Sequence, residues 1–212
     1  MTASSRSRST PVATATLGEE DLGSQAQRER RKRILDATLT LASKGGYEAV
    51  QMRAVAERAD VAVGTLYRYF PSKVHLLVSA LAREFDRIDS KGKTPPGRDP
   101  LEKMRLILSQ ITRAMQRDPL LTEAMTRAFM FADASASAEV DQVGQLMDRL
   151  FARAMTDDEP NADQLAIARV ISDVWLSNLV AWLTRRSSAT DVANRLELTV
   201  ELLLGGGDER AL

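Results

Sequence analysis

Between Gln51 and Lys73 the chain reads QMRAVAERADVAVGTLYRYFPSK, and its apolar positions fall into two short helical phases. Met52, Val55, Ala56 and Ala59 recur at three- and four-residue steps and form one stripe, with Arg53, Glu57 and Arg58 outside it. Asp60 interrupts that stripe. An Asp accepts the left-handed backbone that a sharp helix exit requires, although less readily than Gly. The second phase puts Val63, Leu66 and Phe70 on the inside of a helix over about 63–70. Two short helices joined by a tight turn are a helix-turn-helix. The outer face of the second helix then carries Gly64, Thr65, Tyr67, Arg68 and Tyr69. Pro71 is placed to start the next helix, with Ser72 and Lys73 in its first turn.

The remaining periodicity is helical throughout. A helix is predicted over about 25–44, with Ile34, Leu35, Ala37, Thr38, Leu41 and Ala42 inside and Gly45–Gly46 ending it. Tyr47 and Val50 close a small core against Leu41, Val55 and Leu66. After Lys73 a longer helix carries Leu76, Leu77, Ala80, Leu81, Ala82, Phe85 and Ile88, and KGKTPPGRD at 91–99 breaks it. Five further helices follow at about 100–117, 119–132, 138–155, 162–186 and 190–204, with loops at 133–137, 157–161 and 187–188. The fold class is all-α. The expected parts are a disordered arm over 1–27, a three-helix DNA-binding head over 28–73 and a helical ligand-binding and dimerisation domain over 74–212.

Charge sharpens this division. The formal net charge is zero, but residues 28–73 hold ten Arg or Lys against five acids, whereas 74–212 hold seventeen against twenty-one. Basic charge gathers in the part expected to meet a polyanion. The run RERRKR at 28–33 precedes the helix-turn-helix and is read as a phosphate-contacting segment, and Arg6 and Arg8 could extend it as an arm. Hydroxyls of Thr65, Tyr67 and Tyr69 can donate to phosphate oxygens, and Arg68 can pair with phosphate or reach a guanine edge. Gly64 permits close backbone approach. Amides at Ser72 and Lys73, with the Lys73 ammonium, form a second phosphate site.

GTLYRYFPSK, preceded by VAERADVAV and followed by Leu76 and Leu77, resembles the TetR family of bacterial one-component transcriptional regulators. The motif covers roughly 28–81; the rest agrees with the family in length and helical character. Asp60 stands where the family has Gly, and Gln51 and Ala62 replace helix-capping Thr or Ser, changes that cost about 0.5–2 kcal/mol per lost cap. The resemblance implies operator DNA as partner, contacted by Arg53, Gly64, Thr65, Tyr67, Arg68, Tyr69 and Lys73. Within the family the whole chain is similar to actinobacterial repressors of steroid and cholesterol catabolism. That similarity implies a steroid-derived effector, with a coenzyme A thioester requiring an apolar tunnel and basic groups at its mouth.

Two helices are apolar on more than one side. The helix at 162–186 has Leu165, Ala168, Ile171, Val174, Trp175, Asn178, Leu179, Trp182 and Leu183 on one stripe, with Val170, Leu176 and Val180 off it. The last helix places Val192, Leu196, Val200 and Leu203 beside Leu198, Leu202 and Leu204. A homodimer through these two helices is expected, with Trp175, Leu179, Trp182, Leu196, Val200 and Leu203 in the interface. Met104, Met115, Met125, Phe129, Met130, Met147, Phe151, Trp175 and Trp182 are soft or aromatic and suit the lining of a large apolar cavity, although such residues are also ordinary core.

Other chemistries are poorly supported. With no Cys there is no disulfide, thiol nucleophile or thiolate zinc site. His75 has no carboxylate and nucleophile arranged around it and is read as a surface or DNA-flanking residue. GGG at 205–207 lacks the following Lys and hydroxyl of a phosphate loop. No enzyme, cofactor or metal is expected. Apolar runs such as 179–183 and 202–204 are too short to span a bilayer, so a soluble cytoplasmic protein is expected. The second reading is a helical ligand-binding module whose head no longer binds an operator; the missing caps favour it, and Tyr67, Tyr69 and Lys73 argue against it.

Overall fold

The computed structural model describes residues 19–89, 97 and 99–205, with side chains from Gln25 onward. Every described element is helical: α1 (Glu19–Ala49), α2 (Met52–Arg58), α3 (Val63–Tyr69), α4 (Lys73–Asp89), α5 (Pro100–Arg117), α6 (Pro119–Met130), α7 (Ser137–Ala152), α8 (Ala162–Leu183) and α9 (Ala189–Leu204), with a single 3₁₀ turn at Ala134–Ala136. The first eighteen residues of the expected arm, Arg6 and Arg8 among them, and nearly all of the 91–99 break lie outside the described residues. Residues 19–27, expected to be disordered, are instead the first turns of α1. That polar stretch of sequence carries no hydrophobic period, so the apolar pattern could not show it.

α1 breaks internally at Gly45 (φ −149°) and Gly46 (φ 65°, ψ −160°). The left-handed Gly46 suits a residue without Cβ, and it turns the Tyr47 N–H toward Glu123 Oε2 of α6 at 3.4 Å. Asp60 takes the left-handed backbone expected of it (φ 53°) between α2 and α3. Gln51 and Ala62 make no side-chain cap. Later helices are capped better. Asp99 accepts from Glu102 N at 2.8 Å and Asp118 from Leu121 N at 3.0 Å, while Asn161–Gln164 and Ser188–Asp191 form reciprocal capping boxes.

One continuous core runs through the molecule. Ile34, Leu35, Val50, Val55, Leu66 and Phe70 fill the head, and Leu76, Leu77, Ala80 and Phe85 carry that core along α4 into the larger bundle. The Phe85 ring meets Trp175 of α8 edge-on at 6.2 Å, and Trp175 Nε1 donates to Thr112 Oγ1 of α5 at 3.1 Å. Arg105 ties α5 to Glu197 and Glu201 of α9 at 2.6 and 2.8 Å. Arg153, just past α7, reaches Asp89 at the end of α4 at 2.6 Å.

Four expectations are corrected. Val63 is exposed, because at the first position of a seven-residue helix it lies before the face that Leu66 turns inward. His75 is buried, its Nε2–H donating to the Ser135 carbonyl at 3.0 Å and its Nδ1 accepting from the Ser72 hydroxyl at 2.9 Å. Trp175, Leu179, Leu196 and Val200, assigned to a dimer interface, are buried in the subunit's own core, and Trp182 and Leu203 are half-buried. The strongest stripe of each helix faces its own bundle, and the weaker one faces out. Finally, α8 is by length and composition apolar enough to cross a membrane, although its continuous apolar runs are short. In this fold its most apolar side packs against α7 and α9.

Candidate nucleic-acid interface

α3 stands on the head with its outer side free. Leu66 and Phe70 anchor it, and on the other side Gly64, Tyr67 and Arg68 are exposed while Thr65 and Tyr69 are half-buried. A Cβ built on Gly64 would meet nothing within 4 Å, so no internal contact demands a glycine there. Arg53, on the outer side of α2, is exposed as well. Behind them the basic turns of α1 come close: the Arg31 guanidinium lies 5.6 Å from the centre of the Phe70 ring. The outer side of the head therefore carries three hydroxyls, two of them half-buried, two exposed arginines and the basic end of α1, groups of the kinds able to hold a phosphate backbone or read a base edge.

Lys73 is placed differently from its expected phosphate role. Its Nζ donates to the Tyr47 carbonyl at 3.0 Å, sits 3.8 Å from the centre of the Tyr47 ring and lies 3.9 Å from Glu48. Burial lowers its pKa, with the Glu48 carboxylate partly offsetting this. Arg127 of α6 stacks on the same ring at 4.3 Å, pairs with Glu48 at 3.2 Å and lies 3.8 Å from Glu123. Two cations thus meet the Tyr47 ring, one from the start of α4 and one from α6. Sequence spacing could not reveal this cluster, because its members are up to 80 residues apart and each reads alone as a solvated charge.

Lys73→Met is expected to lower stability by about 1–2 kcal/mol, from the lost charged hydrogen bond and cation–π contact. The slope of log affinity for DNA against log salt should stay unchanged. A slope reduced by about 0.9 in an anisotropy titration would instead assign Lys73 a phosphate.

The residues expected to line an effector cavity are dispersed. Met104, Met125, Met147, Phe151 and Trp175 are buried, Met115, Phe129 and Trp182 half-buried, and Met130 is half exposed at the end of α6. Phe129 and Met147 border a cleft of about 310 Å³ among α6, α7 and α8, together with Val140, Leu176 and the polar group Asp148, Arg169 and Ser172. Arg169 donates to Asp148 at 3.2 Å. Among the described residues no cluster of His, Cys, Asp or Glu could hold a metal ion.

Residues 34–80 match the bacterial regulatory proteins of the tetR family, and residues 97–203 match the tetracyclin repressor-like C-terminal domain. The chain is 89% identical to the HTH-type transcriptional repressor KstR of Rhodococcus jostii (strain RHA1), over 99% of both chains. A crystal structure of a TetR transcriptional regulator from Rhodococcus sp. RHA1 superposes with a TM-score of 0.78 at 32% identity, covering 85% of this chain and 97% of the other. The regulator FadR from Bacillus subtilis, solved in complex with stearoyl-CoA, shares the fold at 19% identity and a TM-score of 0.56, over 82% of this chain and 98% of that one. A helix-turn-helix head on an all-helical body, matched in both parts and over its whole length by a repressor, leaves one assignment: the chain belongs to the TetR family of bacterial transcriptional regulators.

Proposed function

We propose that the protein is a dimeric repressor that seats α3 of each subunit in a major groove of an inverted-repeat operator, and that a large apolar effector releases it. The free outer face of α3, with Tyr67 48% exposed and Gly64 open, carries the first half of this reading. Residues 28–73 form the reading head and 74–212 the effector-binding and dimerising body, with the earlier turns of α1 adding phosphate contacts. Such a repressor works in the cytoplasm, where its DNA is.

Dimerisation falls to the exposed apolar residues of the last two helices, Leu165 and Val170 on α8 and Leu198 and Leu202 on α9. Two such pairs make a four-helix bundle about a twofold axis, which fixes the distance between reading heads.

The effector half rests on the resemblance, read from the sequence, to actinobacterial repressors of steroid and cholesterol catabolism and on the fold shared with a regulator solved in complex with stearoyl-CoA. A steroid-derived acyl-CoA is therefore the effector we assign, and the genes controlled are those of lipid and cholesterol catabolism. The cleft among α6, α7 and α8 is at the small end of ligand sites, so a steroid must part these helices to enter. That requirement gives the effector its preference for a conformation other than the DNA-binding one, without which tight binding would shift nothing.

Fluorescence anisotropy of the full chain on its own upstream DNA, at fixed salt with and without a steroid acyl-CoA, tests both halves. Specific binding abolished by the thioester is expected. In the same assay Arg68→Ala should relax specificity at one position by about 1–3 kcal/mol. Specific binding indifferent to the thioester would discard the steroid assignment, and no specific binding to an operator library would favour a ligand-binding module with a silent head.

A further inference from the structure

The chain has a single histidine, and it is buried in the first turn of α4, where that helix leaves the reading head. Both ring nitrogens are engaged. Nδ1 of His75 accepts from the hydroxyl of Ser72, a near neighbour, at 2.9 Å. Nε2–H donates to the Ser135 carbonyl at 3.0 Å, in the turn between α6 and α7. A carbonyl can only accept, so this second bond fixes the tautomer. The positions that follow in α4 are filled by Leu76, Leu77, Val78 and Ala80, all buried. Packing alone therefore asks for nothing polar at this depth, and a buried imidazole is tolerable because both nitrogens are paired.

The turn that receives the long-range bond is stiff and borders the effector cleft. Asp133 accepts from the Ser135 hydroxyl and N–H at 2.5 and 2.9 Å, bonds that hold its carboxyl below the usual range. Ala136 is fully buried beside them. Residues 133–136 are thus braced to move as a unit. On one side of this turn in the chain is Phe129, near the end of α6, and on the other is Val140, near the start of α7; both line the cleft of about 310 Å³. Parting α6 from α7 at the cleft displaces the chain that joins them, and Ser135 with it. On the other side of the bond, only Pro71 to Val74 separate His75 from Phe70, which packs the end of α3 into the core.

We propose that His75 is the positioning residue through which the reading head answers to the effector cleft, its hydrogen bond to the Ser135 carbonyl tying the start of α4 to the α6–α7 turn. The proposal rests on the effector reading above. Without effector the bond holds the start of α4, and α3 before it, at the tilt that suits the operator. When a steroid parts α6 and α7, the same bond carries the displacement of the turn to the head. Such a tie differs from simple support in what it changes. Lost support lowers stability, whereas a lost tie lowers the factor by which operator and effector weaken one another, a factor that is the same in both directions.

Calorimetric titration of the full-length protein with a steroid acyl-CoA, alone and saturated with operator DNA, reads the tie as a ratio of affinities. Wild type should bind the thioester at least about tenfold more weakly when DNA is bound. His75→Gln places an amide nitrogen where Nε2 lies, so it should keep that ratio. His75→Asn reaches only toward Ser72 and should bring the ratio to within about threefold of one. An Asn variant with the wild-type ratio would overturn the role of His75 and leave the repressor reading intact, as would a ratio lost equally in both variants, which would assign the loss to the ring and not to the bond. A wild-type ratio of one removes the effector half of that reading, and the tie with it. The lone histidine also allows a check on wild type: its imidazole nitrogens give one set of NMR signals, which saturating thioester should shift at Nε2, and signals that stay in place would overturn the tie.

Discussion

Phe70→Ala should unfold the reading head and abolish operator binding while leaving the proposed dimer of the body assembled. The ring is 2% exposed at the end of α3, and with the buried Leu66 and the half-buried Tyr69 it anchors this short, uncapped helix in the core that holds Ile34, Leu35 and Val55. Truncating a buried Phe costs about 3–5 kcal/mol through lost transfer energy and the cavity left behind. That is a large share of the about 5–15 kcal/mol that holds a domain together. Amide hydrogen exchange should then lose protection across α2 and α3 first, with α8 and α9 still protected and light scattering still giving a dimer. A protected head with weakened DNA binding would mean instead that Phe70 matters through Arg31 and the DNA surface, not through the core.

The second large effect concerns assembly. Leu198→Asp with Leu202→Asp should yield monomers in light scattering and weaken operator binding by about a hundredfold or more, since two linked heads gain roughly 10²–10⁴ over one. Leu198 and Leu202 are 55% and 75% exposed, so an Asp at either position costs the isolated subunit little and the dimer a buried charge. Trp182→Asp, the change suggested by hydrophobicity alone, would be ambiguous, because Trp182 is half-buried within its own subunit. A persistent dimer of the double Asp variant would move the interface away from α8 and α9.

These two cases also separate what periodicity can and cannot reveal. It located the helix-turn-helix, the inward Leu66 and Phe70 and the left-handed Asp60, because local backbone preference and one buried stripe decide such features within a few residues. It put the outer face of α3 where the structure has it. It gave to a partner subunit residues of α8 and α9 that this subunit buries itself, because a helix apolar on two sides does not say which neighbour each side meets. It gave Lys73 a phosphate and could not show its contacts with the Tyr47 carbonyl and ring, or Arg127 on the same ring, because these come from other parts of the chain.

The length of α1 before the core has a mechanical consequence. From Glu19 to Arg33 it runs as unbroken helix, about 22 Å at 1.5 Å per residue, while its other end is bound to α6 through Tyr47 and Glu123. It is a lever with a short internal arm and a long external one. A head rotation of about 5° about that attachment moves Arg28, about 27 Å along the helix from the break at Gly46, by about 2 Å. Two angstroms are enough to take an arginine out of hydrogen-bonding range of a phosphate. In the proposed operator complex the basic turns at 28–33 are therefore also among the first contacts to fail when the head tilts, so gain in grip and ease of release come from the same rigid rod.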